Sequence, residues 1–184
     1  MTIADPVLAA QATFRTVLDA MARPGRIRTL PPSPAHPPAL MAATASLLVT
    51  LVDADTPLWL DPELHEAAEW VAFHCGTPPA PIDVAAFVVC ASMPDLGVPR
   101  AGNDEQPELG ATIIVQVAEL GTGTRYRLSG PGIDGAAILA IDGVHDLAAA
   151  WPANRARYPQ GVDLVLCADH RIAALPRSTK IEQA

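Results

Sequence analysis

Two short runs limit what this chain can fold into. Ala111–Val117 (ATIIVQV) and Val162–Cys167 (VDLVLC) are nearly unbroken apolar stretches rich in β-branched residues. A strand with one wet face alternates apolar and polar residues, whereas a strand covered on both faces does not need to. Both runs therefore read as buried strands of a sheet that needs a layer on each side. Ala86–Ala91 and Thr124–Ser129 are further strands, bounded by Gly, Pro or Asp. Thr56–Leu60 and Arg171–Leu175 read as short strands, the latter after an Asp169-His170 turn, and Arg26–Leu30 is extended.

The first half is helical. Asp5 and Pro6 supply an N-cap and a first-turn proline, so helix one runs from Pro6 to Ala22. Val7, Phe14, Val17, Leu18 and Met21 recur at helical spacing and give one amphipathic face. Arg23-Pro24-Gly25 stops the helix, because a residue before proline is pushed out of the α region and glycine admits left-handed geometry. Pro31–Pro38 (PPSPAHPP) is a stiff connector, with too little chain ahead of it to form a core. Pro38–Leu51 is a second helix. Asp61-Pro62 starts a third, which ends at Cys75 before Gly76, and Val144–Arg157 is a fourth, lying between strands. Helices first, strands later and a helix among the strands predict one domain over residues 1–184. Its class is α/β, a three-layer sandwich around a mixed central sheet.

Charge and composition exclude several roles. The net charge of -8 disfavours nucleic acid and anionic membranes. There is no basic leader with an apolar run and no apolar run long enough to span a bilayer, so neither a signal peptide nor a membrane helix is expected. Cys75, Cys90 and Cys167 are widely spaced without a CxxC pair and read as reduced, buried thiols of a cytosolic protein. Lys180 is the sole lysine and lies in a polar tail, a poor place for a Schiff base. The five histidines show no metal-binding spacing, and Asp53 and Asp55 read as caps or ion-pair partners, so no metal site is expected. Ser46 and Ser129 lack a nucleophile-elbow setting.

What remains is anion chemistry. Arginine offers a planar fork of donors suited to phosphate and carboxylate. Arg23 and Arg26 flank the helix stop, and Arg177-Ser178-Thr179 combines a fork with two hydroxyls. Gly130 and Gly132, in Ser129-Gly130-Pro131-Gly132-Ile133, form either a plain turn or an amide nest for an anion. They are neither a dinucleotide fingerprint nor a Walker loop. Arg155 and Arg157 close a helix, where cations are stabilising. Met93–Leu109, rich in Pro, Gly and acids, reads as a functional or contact loop.

In order along the chain, these segments resemble the PhnH subunit family of the bacterial carbon–phosphorus lyase system. The matching stretches are Phe14–Gly25, Leu47–Leu60, Gly102–Val115, Leu128–Ile133 and Asn154–Thr179, the last including Gly161–Leu164. Asn103-Asp104 departs from the threonine that commonly follows the glycine in that family. The resemblance implies a fold like the large domain of pyridoxal-phosphate-dependent transferases, without the cofactor. It implies a homodimer within a cytoplasmic multi-subunit core assembly, together with other carbon–phosphorus lyase core subunits. It further implies a part in phosphonate catabolism, in which a phosphonate displaces adenine from MgATP to give a ribose 1-phosphonate 5-triphosphate, with no catalytic residue transferable to this chain. Two roles follow: a subunit that contacts an anionic small-molecule substrate through Arg23, Arg26, Gly130, Gly132, Arg177 and Thr179, or an assembly module with no ligand of its own.

Overall fold

A computed structural model describes residues 6–184; the expected Asp5 cap lies outside the described residues. Helix α1 spans Pro6–Ala22, α2 Ala42–Leu51, α3 Ala68–Cys75 and α4 Leu147–Ala156. The strands are β1 (Arg28–Thr29), β2 (Leu58–Leu60), β3 (Phe87–Cys90), β4 (Thr112–Gln116), β5 (Glu119–Ser129), β6 (Ala137–Asp142), β7 (Asp163–Ala168), β8 (Arg171–Leu175) and β9 (Lys180–Gln183). Six of them form a mixed sheet in the order β1-β8-β7-β4-β3-β2. β2, β3, β4 and β7 are parallel, β8 runs antiparallel beside β7, and β1 pairs antiparallel with β8 at that end.

The unbroken apolar runs sit at the middle of this sheet, as their composition demands. Within β3, β4 and β7, Val88, Ile113, Val115, Leu164 and Leu166 point to one side. Val89, Ile114, Val165 and Cys167 point to the other. All nine are essentially inaccessible. Each large apolar side chain so buried contributes roughly 1.5–3 kcal/mol. α1, α2 and α3 cover one face, and α2 is buried nearly all round from Ala43 to Leu48.

The opposite face corrects one expectation. The sandwich is not built around a single sheet. A second antiparallel sheet, ordered β6-β5-β9, covers that face together with α4. β6 and β9 are not apparent in the sequence, and the tail bearing Lys180 is strand β9. Leu120, Tyr126 and Leu128 of β5, Leu139 and Ile141 of β6 and Ile181 of β9 look inward, while their neighbours face solvent. Trp151 of α4 is buried beneath and donates from Nε1 to the Thr179 carbonyl at 2.7 Å.

Gln116, the polar exception in the ATIIVQV run, fixes where α2 begins. Its Oε1 accepts from the Met41 amide at 2.6 Å and its Nε2 donates to the Ala39 carbonyl at 3.0 Å. Residues 37–40 form a turn instead of helix, so α2 starts at Ala42, later than the proline suggested. The Asp61 cap is present, its carboxylate accepting from the Glu63 amide at 3.0 Å. The helix predicted after it opens as a 3-10 segment, Pro62–Ala67, with Leu64 off helical geometry, before α3 proper. Gly76 ends α3 at φ 63°.

Candidate functional site

Two of the glycine motifs meet in space. Gly132 sits against the end of α1: a Cβ there would collide with the Ala22 carbonyl oxygen and come within 3.1 Å of Pro24 Cδ. Its φ of +80° would strain any other residue. Gly25 packs on the same turn from the other side, where a Cβ would lie 2.5 Å from Leu128 Cδ1. Gly130 approaches Ser178 and Thr179, with 3.3 Å from a Cβ to the Ser178 carbonyl. The helix stop, the Gly130–Gly132 turn and the entry to β9 therefore form one junction. Thr179 is fully buried in it, and its hydroxyl has no hydrogen-bond partner among the described residues.

The arginines are distributed differently. Arg23 Nη1 pairs with Asp19 one turn back along α1, and Arg28 Nε reaches the other oxygen of Asp19 at 2.5 Å. Arg177 turns inward. Its Nε and Nη2 grip the Asp163 carboxylate, at 3.1 and 2.5 Å to Oδ1 and Oδ2, and Nη1 donates to the Pro107 carbonyl at 2.7 Å. Gly110 lets this clamp close, since a Cβ there would lie 2.5 Å from Arg177 Nη1 and collide with the Gly161 carbonyl. Arg26 is exposed, and among the described residues no acid pairs with it. The structure thus brings Arg23, Gly130, Gly132 and Thr179 to one neighbourhood and leaves Arg177 occupied elsewhere.

The Met93–Leu109 loop is anchored at its far end. Asn103, at the family departure, makes an Asx turn: its Oδ1 accepts from the amides of Glu105 and Gln106 at 3.0 and 2.7 Å. Asp104 Oδ1 accepts from Gln160 Nε2 at 2.6 Å. Asp53 closes a local turn, accepting from the Asp55 amide and the Thr56 hydroxyl, and these bonds lower its pKa. Cys75, Cys90 and Cys167 are buried, unpaired thiols. Burial pushes Cys75 up to about 11 and Cys167 to about 12, and burial helped by the Asp61 charge pushes Cys90 to about 12. Lys180 pairs with Glu182 at 2.7 Å on the exposed side of β9. Among the described residues, no cluster of His, Cys, Asp or Glu could hold a metal ion, and no helix is long and apolar enough to cross a membrane.

One expected face needs revision. α1 turns Thr13, Val17 and Ala20 inward, while Leu8, Phe14 and Leu18 stay exposed. The expected face forms one arc of the helix, but the fold buries the neighbouring arc of Thr13 and Ala20, and only Val17, at the boundary of the two, is buried in both readings. The acidic partners, Asp19 and Asp163, were the residues that motif reading missed. Asp19 and Arg23 stand four apart, a spacing that places them side by side on a helix. Asp163 gave no such signal, because its partner is brought in by the β7–β8 pairing.

The fold and its contacts define an α/β protein with a glycine junction at the end of α1 and a largely buried arginine clamp. Residues 1–182 match the family model described as PhnH, bacterial phosphonate metabolism protein, and the chain belongs to that family. It is 39% identical to the alpha-D-ribose 1-methylphosphonate 5-triphosphate synthase subunit PhnH of Rhizobium meliloti (strain 1021), covering 98% of this chain and 94% of that protein. It is 35% identical to the putative C-P lyase subunit protein HtxG of Stutzerimonas stutzeri, over 93% of this chain and 85% of the relative.

Proposed function

We propose that this chain is a subunit of an alpha-D-ribose 1-methylphosphonate 5-triphosphate synthase acting in phosphonate catabolism, and that it works through assembly, without catalysing a step alone. The carrying observation is the near full-length match to a subunit of that synthase. The family resemblance implies MgATP and a phosphonate as substrates of the whole machine, with adenine displaced. The geometry favours assembly: the guanidinium of Arg177 is consumed by Asp163 and Pro107, and Arg23 by Asp19. The test is growth on methylphosphonate as sole phosphorus source in a Rhizobium meliloti strain lacking its own subunit. Expression of this chain restores growth. A folded, expressed chain that does not restore it overturns the proposal.

A second reading, direct contact with an anionic substrate, rests on Arg26. Its fork is exposed and uncommitted, two residues from a junction lined by glycine-turn amides and the buried Thr179 hydroxyl. Calorimetry of the complex with MgATP tests it, and an Arg26→Ala complex that binds MgATP unchanged overturns it.

The exposed Phe14 and Leu18, one turn apart on α1, support a second copy of the chain as partner. The three buried thiols support a reducing, cytoplasmic setting. The likeness to the large domain of pyridoxal-phosphate transferases belongs to the same proposal. It is supported by a mixed sheet with helices on one face, and the exposed, paired Lys180 gives no setting for a Schiff base.

A further inference from the structure

From Arg28 to Arg100 the chain holds no lysine or arginine, yet it holds eight acids, from Asp53 to Asp95. Outside that stretch twelve acids offset twelve cations, so the whole net charge of -8 arises inside it. Asp95 lies beside Arg157 at the end of α4, whereas most of the stretch's acids lie on or near β2, Pro62–Ala67 and α3, at the β2 end of the large sheet. There an apolar groove of about 480 Å³ runs between β2, α3 and the segment after Thr77. Its floor is Leu58, Trp59 and Leu60. Ala68 and Ala72, too small to fill it, form one wall, and Pro79 and Ala80 form the other. Glu69 stands on the rim, with Glu66 one turn earlier on the chain. Phe73, four residues beyond Glu69 on the same helix face, is 84% exposed.

The backbone of this edge is unfinished. β2 is the outer strand. Its pairing with β3 takes the Asp61 amide, and by alternation the amide and carbonyl of Trp59. Leu58 is capped on its outer side by Pro78 and Ala80, at 3.2 and 2.9 Å. The cover ends there, and the N–H and C=O of Leu60 point outward beyond it. An apolar trough beside a free strand edge suits an extended peptide, held by main-chain bonds and by side chains set in the trough.

We infer that this groove receives an extended segment of another subunit of the synthase, carrying apolar residues interspersed with lysine or arginine. This rests on the subunit reading above. Charge complementarity sets the occupant: Glu69 stands on the rim with Glu66 beside it, and among the described residues no lysine or arginine lines the groove. A second copy could offer its own arginine-bearing end instead, but that contact is head-to-tail and generates rings or open chains, not a closed pair.

The test uses the chain co-expressed with the remaining subunits of its own synthase. Ala72→p-benzoylphenylalanine, irradiated in the purified complex, crosslinks to a segment of another subunit that contains two or more cations. Should the bulky group itself keep the folded chain out, while the same residue placed at Phe14 does not, the groove is again the contact. Glu66→Lys with Glu69→Lys weakens binding by roughly tenfold at low ionic strength, and the loss shrinks at high salt. Exchange of the Leu60 amide slows by at least about tenfold on assembly. A complex that assembles with the Leu60 amide unprotected and Ala72 uncrosslinked overturns this inference alone, as does a crosslink to a second copy or to a cation-free segment. A native chain that recruits no other subunit overturns the subunit reading as well.

Discussion

The two ends of the large sheet are finished in opposite ways. At the β1 end, arginines are plentiful and spent: Arg23 and Arg28 share Asp19, and Arg171 reaches Glu119 and the Leu120 carbonyl. At the β2 end, among the described residues, no arginine lines the trough, the rim acid Glu69 and its neighbour Glu66 have no cation partner, and the trough lies open along a free strand edge. The first end attracts notice in the sequence, because cations beside turns suggest ligands. In the fold those cations serve neighbours in the same chain, Arg26 alone of them having no acidic partner among the described residues. The end without a motif is the one that lacks its counterpart.

Variants sharpen this contrast, beginning with committed charges. Arg177→Ala leaves the largely buried Asp163 without its partner and costs about 3 kcal/mol in urea unfolding. A loss below about 1 kcal/mol would mean that the clamp is decoration. Gly132→Ala forces a Cβ into the Ala22 carbonyl at a left-handed φ and costs at least about 2 kcal/mol. Gly135→Ala, at φ +67° with open space around it, costs only about 1 kcal/mol. Equal losses at the two glycines would break the claim that the junction is set by close approach.

Alkali supplies a third probe. The thiols have raised pKa values in the folded protein, so they stay protonated where the unfolded chain would ionise. Their contribution is therefore complete below the unfolded pKa, about 8.5, and declines as pH rises from there toward the folded values of about 11 to 12. Unfolding midpoints fall across that window, by up to about 1.4 kcal/mol per pH unit for each thiol. Cys→Ser triple substitution flattens the slope. Smallest of all, Glu66→Lys with Glu69→Lys changes stability by less than about 0.5 kcal/mol, since both side chains are exposed and the acidic end is not needed for folding. A larger loss would recast those acids as part of the fold.

How far the sequence could be read follows from where its information lies. Ile113, Ile114, Val115, Leu164, Val165 and Leu166 announced a doubly covered sheet because burial on both faces removes alternation. Asp61-Pro62 and Gly76 bounded a helical stretch through local bonding. β9 was illegible: Ile181 is its only inward residue, and its strand state depends on β5 beside it. β6 carries alanines with little strand preference and is likewise set by its partner. Among the candidate site residues, the Gly132 contact and the Arg177 clamp depend on Ala22 and Asp163, which are distant in the chain. Motif spacing therefore singled out these residues without revealing what they touch.

The place of β8 carries a last consequence, for the order of synthesis. β8 lies between β7 and β1, so the strand made first in that group can be paired only after nearly the whole chain has emerged. β4 likewise waits for β7. Until then its apolar edge has no neighbour on that side, in a nascent chain extending at roughly 5–20 residues per second. Such non-local pairing makes folding slow and exposes sticky edges meanwhile. The protein's yield in a cell is thus governed by how that interval is protected, quite apart from how stable the finished fold becomes.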